Sequence, residues 1–253
     1  MIVFMSDWGY NSYYVGIAKS VIYSISPNST VVDLIHTISP FNVREAAHIV
    51  ERTFGDLPRG SVLLSVVDPG VGTERKPIVL EVDGKYCVGP DNGTFTRILS
   101  GNYHCRVLEN PKYMYRIPPS KTFHGRDIFA PAAAYLDSGV KLEEFGPEWK
   151  PLKIEFKEIE IGEGFVKCEV AYVDGFGNVE TTLKLRDLED AGIGKIFFVN
   201  GIRTRLVERY AEVKEGLLAH LDSSGYLEIS VNQGSASKML SVSCGNELLI
   251  TKE

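Results

Sequence analysis

An aspartate, Asp68, closes an apolar run in the segment Val66-Val67-Asp68-Pro69-Gly70-Val71-Gly72, and an arginine, Arg75, follows shortly after. A carboxylate at the carboxyl end of a buried strand stands where open α/β sheets gather their ligands. The glycines let backbone approach a bound molecule closely, and Arg75 can fold back onto the acid. The competing structural reading is a plain Asp-Pro-Gly turn. Asp7 ends the apolar run Met1-Ile2-Val3-Phe4-Met5-Ser6 in the same way. It can accept hydrogen bonds from ribose hydroxyls, or it can simply cap a helix. Two aspartates at strand ends in one chain favour a site. His124, in Thr122-Phe123-His124-Gly125-Arg126-Asp127, supplies a proton carrier or a hydrogen-bond partner. A single loop histidine is more often a capping or surface residue. His36, His48, His104 and His220 carry no sharper signal, and His36 reads as structural.

Several chemistries lack their patterns. Two aspartates with His36 and His124 have neither an H-x-x-x-H nor a clustered-carboxylate spacing, which argues against a metal. There is no G-x-G-x-x-G and no phosphate loop. Ser65, His124 and Asp68 lack the G-x-S-x-G elbow of a serine hydrolase. In the second half, Asp174-Gly175-Phe176-Gly177-Asn178 interrupts an alternating strand. Phe176 can stack on a flat base and Asn178 can pair with an adenine edge. A tight β-turn uses the same residues. Ser223, Glu228 and Gln233 add polar groups near strand ends, and alone they read as a decorated hairpin.

These side chains need elements to hold them. In the first half, strand-like residues 2–4, 30–35 and 61–67 alternate with helical spacing over 13–26 and with a helix that Asn42 and Glu45 open as a capping pair. That alternation predicts a mostly parallel sheet sandwiched by helices. Residues 78–82 and 85–88 flank Asp83-Gly84, a hairpin signal, and 128–136 read as helix. A linker pattern lies near residue 150. Beyond it, short alternating strands at 166–173, 179–183, 196–199, 226–231 and 248–251 predict a small antiparallel β-barrel. The expected organisation is an α/β domain over residues 1–150, carrying the nucleophile site, and a β-barrel domain over 151–253, carrying the adenine and methionine contacts that the resemblance below implies.

Composition bounds the partners. The chain has 253 residues, with Lys plus Arg 27, Asp plus Glu 33 and a net charge of −6, so no basic stripe is expected for nucleic acid. The apolar start is too short for a membrane span or a signal peptide. Four dispersed cysteines without a C-x-x-C pair read as packed thiols of a reduced, cytoplasmic protein.

Taken in order, Ser6-Asp7-Trp8-Gly9, Val32-Asp33-Leu34-Ile35-His36, 66–72, 89–93, 123–127, 174–178 and 225–234 resemble the S-adenosyl-L-methionine (SAM) hydroxide adenosyltransferases. These are relatives of the SAM-dependent fluorinating and chlorinating enzymes. Each stretch alone is weak, and the ordered set spans nearly the whole chain. The resemblance implies attack of water or hydroxide on ribose C5′ of SAM, giving adenosine and methionine, with SAM as substrate and no cofactor. It implies a homotrimer with sites at subunit interfaces. It places Asp68, Arg75 and His124 in the hydrolytic set and Asp7 on the ribose hydroxyls. Asn178 and the backbone near Gln233 fall on adenine with Phe176 beside it, and Asp174, Ser223 and Glu228 on the methionine end. The halogenating relatives carry Tyr-Ser where this chain has His124-Gly125, and no carboxylate matching Asp68. That departure favours water over a halide. A halogenase and a non-catalytic adenosine or SAM sensor are the rival readings.

Overall fold

The apolar start forms β1 (Ile2–Ser6), with every residue buried. Ser12 then caps α1 (Tyr13–Ile25) by accepting from the Tyr14 N–H, and Val15, Ala18, Val21 and Ile22 turn inward at helical spacing. Pro27 follows its end. The chain continues through β2 (Val31–Ile35), α2 (Val43–Phe54) and β3 (Val62–Val66). Asn42 caps α2 through the Glu45 N–H, and the Glu45 carboxylate reaches back to the Ser39 N–H. β3 is buried along its length, as a central strand covered on both faces must be.

Residues 1–253 are described by this computed structural model, and they divide into two units, Met1–Ile154 and Glu155–Glu253. In the first, β1 pairs in parallel with β2 and β3, and β3 pairs in parallel with β5 (Lys85–Pro90). The hairpin of β4 (Pro77–Val82) with β5 turns at Asp83 and Gly84, both at positive φ. An edge strand not expected from the sequence, β6 (Tyr103–Val107), runs antiparallel to β4. The sheet order is β2-β1-β3-β5-β4-β6, parallel on one side and antiparallel at the other edge. One face packs Ile2, Phe4, Val62 and Leu64 against Ala18 and Ile22 of α1 and against Phe129 and α3 (Ala130–Asp137). Burying each such large apolar side chain contributes roughly 2 kcal/mol. A π-helical turn, Gly125–Phe129, leads into α3, so the expected helix begins with a widened turn.

The second unit opens with the short β7 (Glu160–Gly162), which pairs with β8 (Phe165–Val173). β9 (Val179–Lys184), α4 (Leu185–Asp190), β10 (Ile196–Val199), β11 (Ile202–Leu206), β12 (Leu217–Leu221), β13 (Tyr226–Val231), α5 (Ala236–Leu240) and β14 (Glu247–Lys252) follow. The order β14-β10-β11-β12-β13-β9-β8 closes through a β8–β14 pairing, giving a seven-stranded barrel. Closure removes the free strand edges. β11 and β12 pair in parallel, the exception to the antiparallel pattern the sequence predicts. No helix is long and apolar enough to cross a membrane.

Candidate active site

The buried strand β3 delivers Asp68 to the carboxyl end of the sheet. There Asn92 donates its side-chain N–H to the Val67 carbonyl at 2.8 Å and fixes the strand end. Two successive turns then fold the chain back. The Val71 N–H bonds to the Asp68 carbonyl, and the Thr73 N–H and hydroxyl both bond to the Gly70 carbonyl. Gly72 between them has φ +77, and a Cβ there would run into the Lys121 carbonyl. Only glycine satisfies both demands, so this position fixes the 68–75 loop against the segment leading to His124.

Arg75 returns over Asp68 as a two-pronged clamp. Its Nε–H donates to Asp68 Oδ1 at 2.8 Å and its Nη2 to Oδ2, and Nη2 also contacts His124 Nδ1 at 2.7 Å. The guanidinium lies over the ring of buried Phe129, 5.2 Å from its centre. Arg75 Nη1 is buried and its N–H groups have no protein partner. A guanidinium donates and never accepts. His124 Nδ1 must therefore be the unprotonated nitrogen, and the neutral ring carries its proton on Nε2. Burial, and secondarily the Arg75 charge, push the His124 pKa below the ordinary histidine value, against the pull of Asp68 and Asp127.

Asp7 leaves β1 beside this set. Its Oδ2 accepts the Phe41 N–H at 2.9 Å, and Phe41 holds a left-handed backbone at φ 66. Bulky residues rarely adopt that conformation, and such strain clusters at functional sites. Burial raises the Asp7 pKa, the Phe41 bond opposes it, and the nearby Asp68 charge adds to the rise. One cavity of about 340 Å³ brings Asp7, Asp68 and His124 together with Trp8, Phe41 and Phe123. Its wall is an edge-to-face aromatic cluster, with Trp8 5.7 Å from Phe123 and 5.9 Å from Tyr14. A Cβ on Gly125 would come within 2.5 Å of the Trp8 indole, so the indole occupies the space a side chain would need. The sequence reading missed Trp8, Phe41 and Phe123 as walls. Their signal was adjacency to Asp7 and His124, which spacing alone did not weigh.

In the barrel unit, a cavity of about 690 Å³ is lined by Phe176, Asn178, Gln233, Tyr210, Ser235 and Lys238. Asp174 does not line it. Its Oδ1 accepts the N–H groups of Phe176 and Asn178, and its Oδ2 accepts the Asn178 side-chain N–H. The carboxylate thus builds the turn, projects Phe176 to 82% exposure and leaves the Asn178 side-chain amide oxygen as an acceptor. Gln233 sits at φ 56 on the turn after β13. Glu228 lies on β13 opposite His220 of β12; its Oε1 accepts from the Ser230 and Tyr210 hydroxyls and stands 2.9 Å from His220 Nε2. Tyr210 links it to the cavity. Ser223 is exposed on the β12–β13 hairpin turn, where Asp222 binds the Ser224 and Tyr226 N–H groups, and it does not line this cavity.

A strand-end carboxylate clamped by arginine beside a histidine, on an α/β unit in a chain that also carries a closed barrel, has the make-up of a small-molecule enzyme. The SAM hydroxide adenosyltransferase N-terminal domain profile matches residues 2–146 and the C-terminal domain profile residues 168–249, and the chain belongs to that family. It is 39% identical over 253 residues to an (R)-S-adenosyl-L-methionine hydrolase of Thermus thermophilus, covering 96% of each chain. It is 25% identical to a fluorinase of Actinoplanes, covering 100% of this chain and 97% of that one. A crystal structure of an uncharacterized conserved protein from Thermotoga maritima superposes with a TM-score of 0.91 at 40% identity over 100% of both chains.

Proposed function

We propose that this protein hydrolyses SAM at ribose C5′, giving adenosine and L-methionine. The observation that carries the reading is that Asp7, Asp68 and His124 line one cavity, with Arg75 bridging Asp68 and His124 from behind its wall. The substrate's sulfonium leaves as a neutral thioether, so no general acid is required. The reaction needs no cofactor, because the substrate carries its own leaving group. The demand falls on the nucleophile, since free water has a pKa of about 15.7. Arg75 donors already engage both Asp68 oxygens, so Asp68 serves as an acceptor that orients water more than as a strong base. Arg75 and His124 stabilise hydroxide character on that water. The new C5′–O bond forms as the C5′–S bond breaks, its electron pair goes to sulfur, and the water's proton passes to solvent. Alignment of water, C5′ and sulfur supplies much of the remaining rate.

In this reading Asp7 accepts from the ribose hydroxyls. Phe176 stacks beside adenine, while Asn178 and the Gln233 backbone read its edge. Glu228, whose Oε1 faces Tyr210, Ser230 and His220, offers Oε2 to the methionine ammonium. Ser223 joins it at that end, and Asp174 holds the turn. The reading includes a cytoplasmic homotrimer with sites at subunit interfaces: the free, mostly buried cysteines support a reducing compartment, and the family resemblance implies the trimer. Halogenation is the second reading, raised by the similarity to fluorinases. Gly125 has no hydroxyl to hold a halide, and the Asp68 carboxylate would repel one. Chromatography of SAM incubations with and without chloride or fluoride decides. Adenosine and methionine in equal amounts, independent of halide, support hydrolysis, a 5′-halo nucleoside supports the alternative, and no product supports a sensor.

A further inference from the structure

His36 is fully buried, yet both of its ring nitrogens are engaged. Lys19 Nζ lies 2.6 Å from Asp33 Oδ2, Asp33 Oδ1 lies 3.0 Å from His36 Nε2, and His36 Nδ1 lies 2.7 Å from the Ser6 hydroxyl. The Trp8 N–H points at that hydroxyl oxygen at 3.4 Å, and the Gly9 N–H donates to the His36 carbonyl at 2.6 Å. One residue therefore grips the turn 6–9 through both its ring and its backbone. The β1–β2 register slips between Phe4 and Met5, an irregularity of the kind that re-aims side chains beside active sites.

The direction of each bond in the chain follows from its far end. The Asp33 carboxylate, held by Lys19, accepts, so His36 carries its proton on Nε2. Nδ1 then accepts the Ser6 hydroxyl proton, which turns the Ser6 oxygen's lone pairs toward the Trp8 N–H. The order Ser6–His36–Asp33 matches that of a nucleophilic triad, but Ser6 is fully buried and lines neither cavity, so this array does not attack substrate. Phe4 and Tyr10 pack edge-on against the imidazole and seal it.

We infer that His36, with Asp33 and Lys19 behind it, is the positioning residue of the ribose-binding turn, fixing Asp7 and Trp8 in place before substrate arrives. The inference rests on the reading of Asp7 as the ribose acceptor. A merely structural role for His36 would weaken all ligands alike, whereas a positioning role acts on ribose recognition alone.

The test compares binding of adenosine with binding of 2′,3′-dideoxyadenosine, which lacks the hydroxyls, in the full-length protein. A hydrogen bond to a charged acceptor gives the wild type a preference for adenosine of about tenfold or more. His36→Phe keeps the ring volume but removes the acceptor, and it should collapse that preference toward unity. His36→Asn, whose Oδ1 can stand where Nδ1 does, should restore most of it. Asp33→Asn, at the half-exposed end, should reduce the preference even if His36→Phe fails to fold. A preference unchanged in Asp33→Asn and in any folded His36→Phe would overturn the inference. Asp7→Asn separates the two readings. If it leaves the preference intact, the ribose role of Asp7 fails. If it abolishes the preference while the His36 and Asp33 variants keep it, only the positioning role fails.

Discussion

Arg75 Nη2 stands 2.7 Å from His124 Nδ1, and because a guanidinium can only donate, this contact fixes His124 as a neutral ring protonated on Nε2. Protonating Nδ1 would set two donors against each other and break the link between Asp68 and His124. Burial already holds the His124 pKa below 6.5. Turnover should therefore rise with pH through an apparent pKa under 6.5 and stay flat through neutrality, as a kcat profile on SAM will show. A profile falling between pH 6 and 8 would contradict the assignment.

Asp68 and Arg75 side chains are only 7% and 9% exposed, so the pair is a buried, doubly bonded one. Removing one partner strands the other charge, at a cost of about 3–5 kcal/mol. Asp68→Asn, which keeps the shape, should lower kcat by at least about a hundredfold, while adenosine affinity in calorimetry stays within about threefold. Arg75→Met should lower both kcat and thermal stability.

The sheet, the two strand-end aspartates and the hairpin at Asp83-Gly84 were legible because burial periodicity and turn chemistry are local. The barrel was legible as a class, but β11 and β12 were not. In Ile202-Arg203-Thr204-Arg205-Leu206 the two arginines face outward while Thr204 is buried, so the strand lacks a run of apolar residues to mark it. The clamp of Arg75 on Asp68 was legible as a possibility of spacing. The aromatic wall of Trp8, Phe41 and Phe123 was not, because three separated segments meet there only in three dimensions. Asp174 shows the converse. The carboxylate that the family resemblance puts at the methionine end also builds its own turn, with Oδ1 accepting two bonds and Oδ2 one, a role that spacing alone does not reveal.

Gly125 has no room for a side chain beneath the Trp8 indole. Overpacking of this kind costs about 1–3 kcal/mol. Gly125→Ser should lower the melting temperature and cut hydrolysis at least about tenfold, and it should not create a halide-dependent product. Pairing it with Trp8→Leu should recover stability, as differential scanning fluorimetry will report.

Phe176 is exposed, so its removal leaves the fold intact while deleting a stacking surface. Stacking of a base on an aromatic ring is worth about 1–3 kcal/mol. Phe176→Ala should raise KM for SAM roughly five- to a hundredfold with little change in melting temperature. An unchanged KM would remove this cavity from the substrate's path.

His36 and His124 both have pKa values lowered chiefly by burial, so below the ordinary histidine value the unfolded chain binds more protons than the folded one. Stability should fall as pH drops from about 6.5 through their lowered values. His220, raised mainly by its bond to Glu228, works the other way and keeps its contribution below that pH. Urea midpoints at pH 7.5, 6.5 and 5.5 should decline, and the decline should shrink in His124→Asn.

The central claim is that water, oriented by Asp68, is the nucleophile at C5′. Mass spectrometry of the nucleoside formed from SAM in heavy-oxygen water measures this directly. The account predicts adenosine carrying one heavy oxygen at its 5′ position, formed one-for-one with unlabelled methionine and lost in Asp68→Asn. Unlabelled adenosine, a 5′-halo nucleoside, or full labelling in Asp68→Asn at the wild-type rate would contradict it.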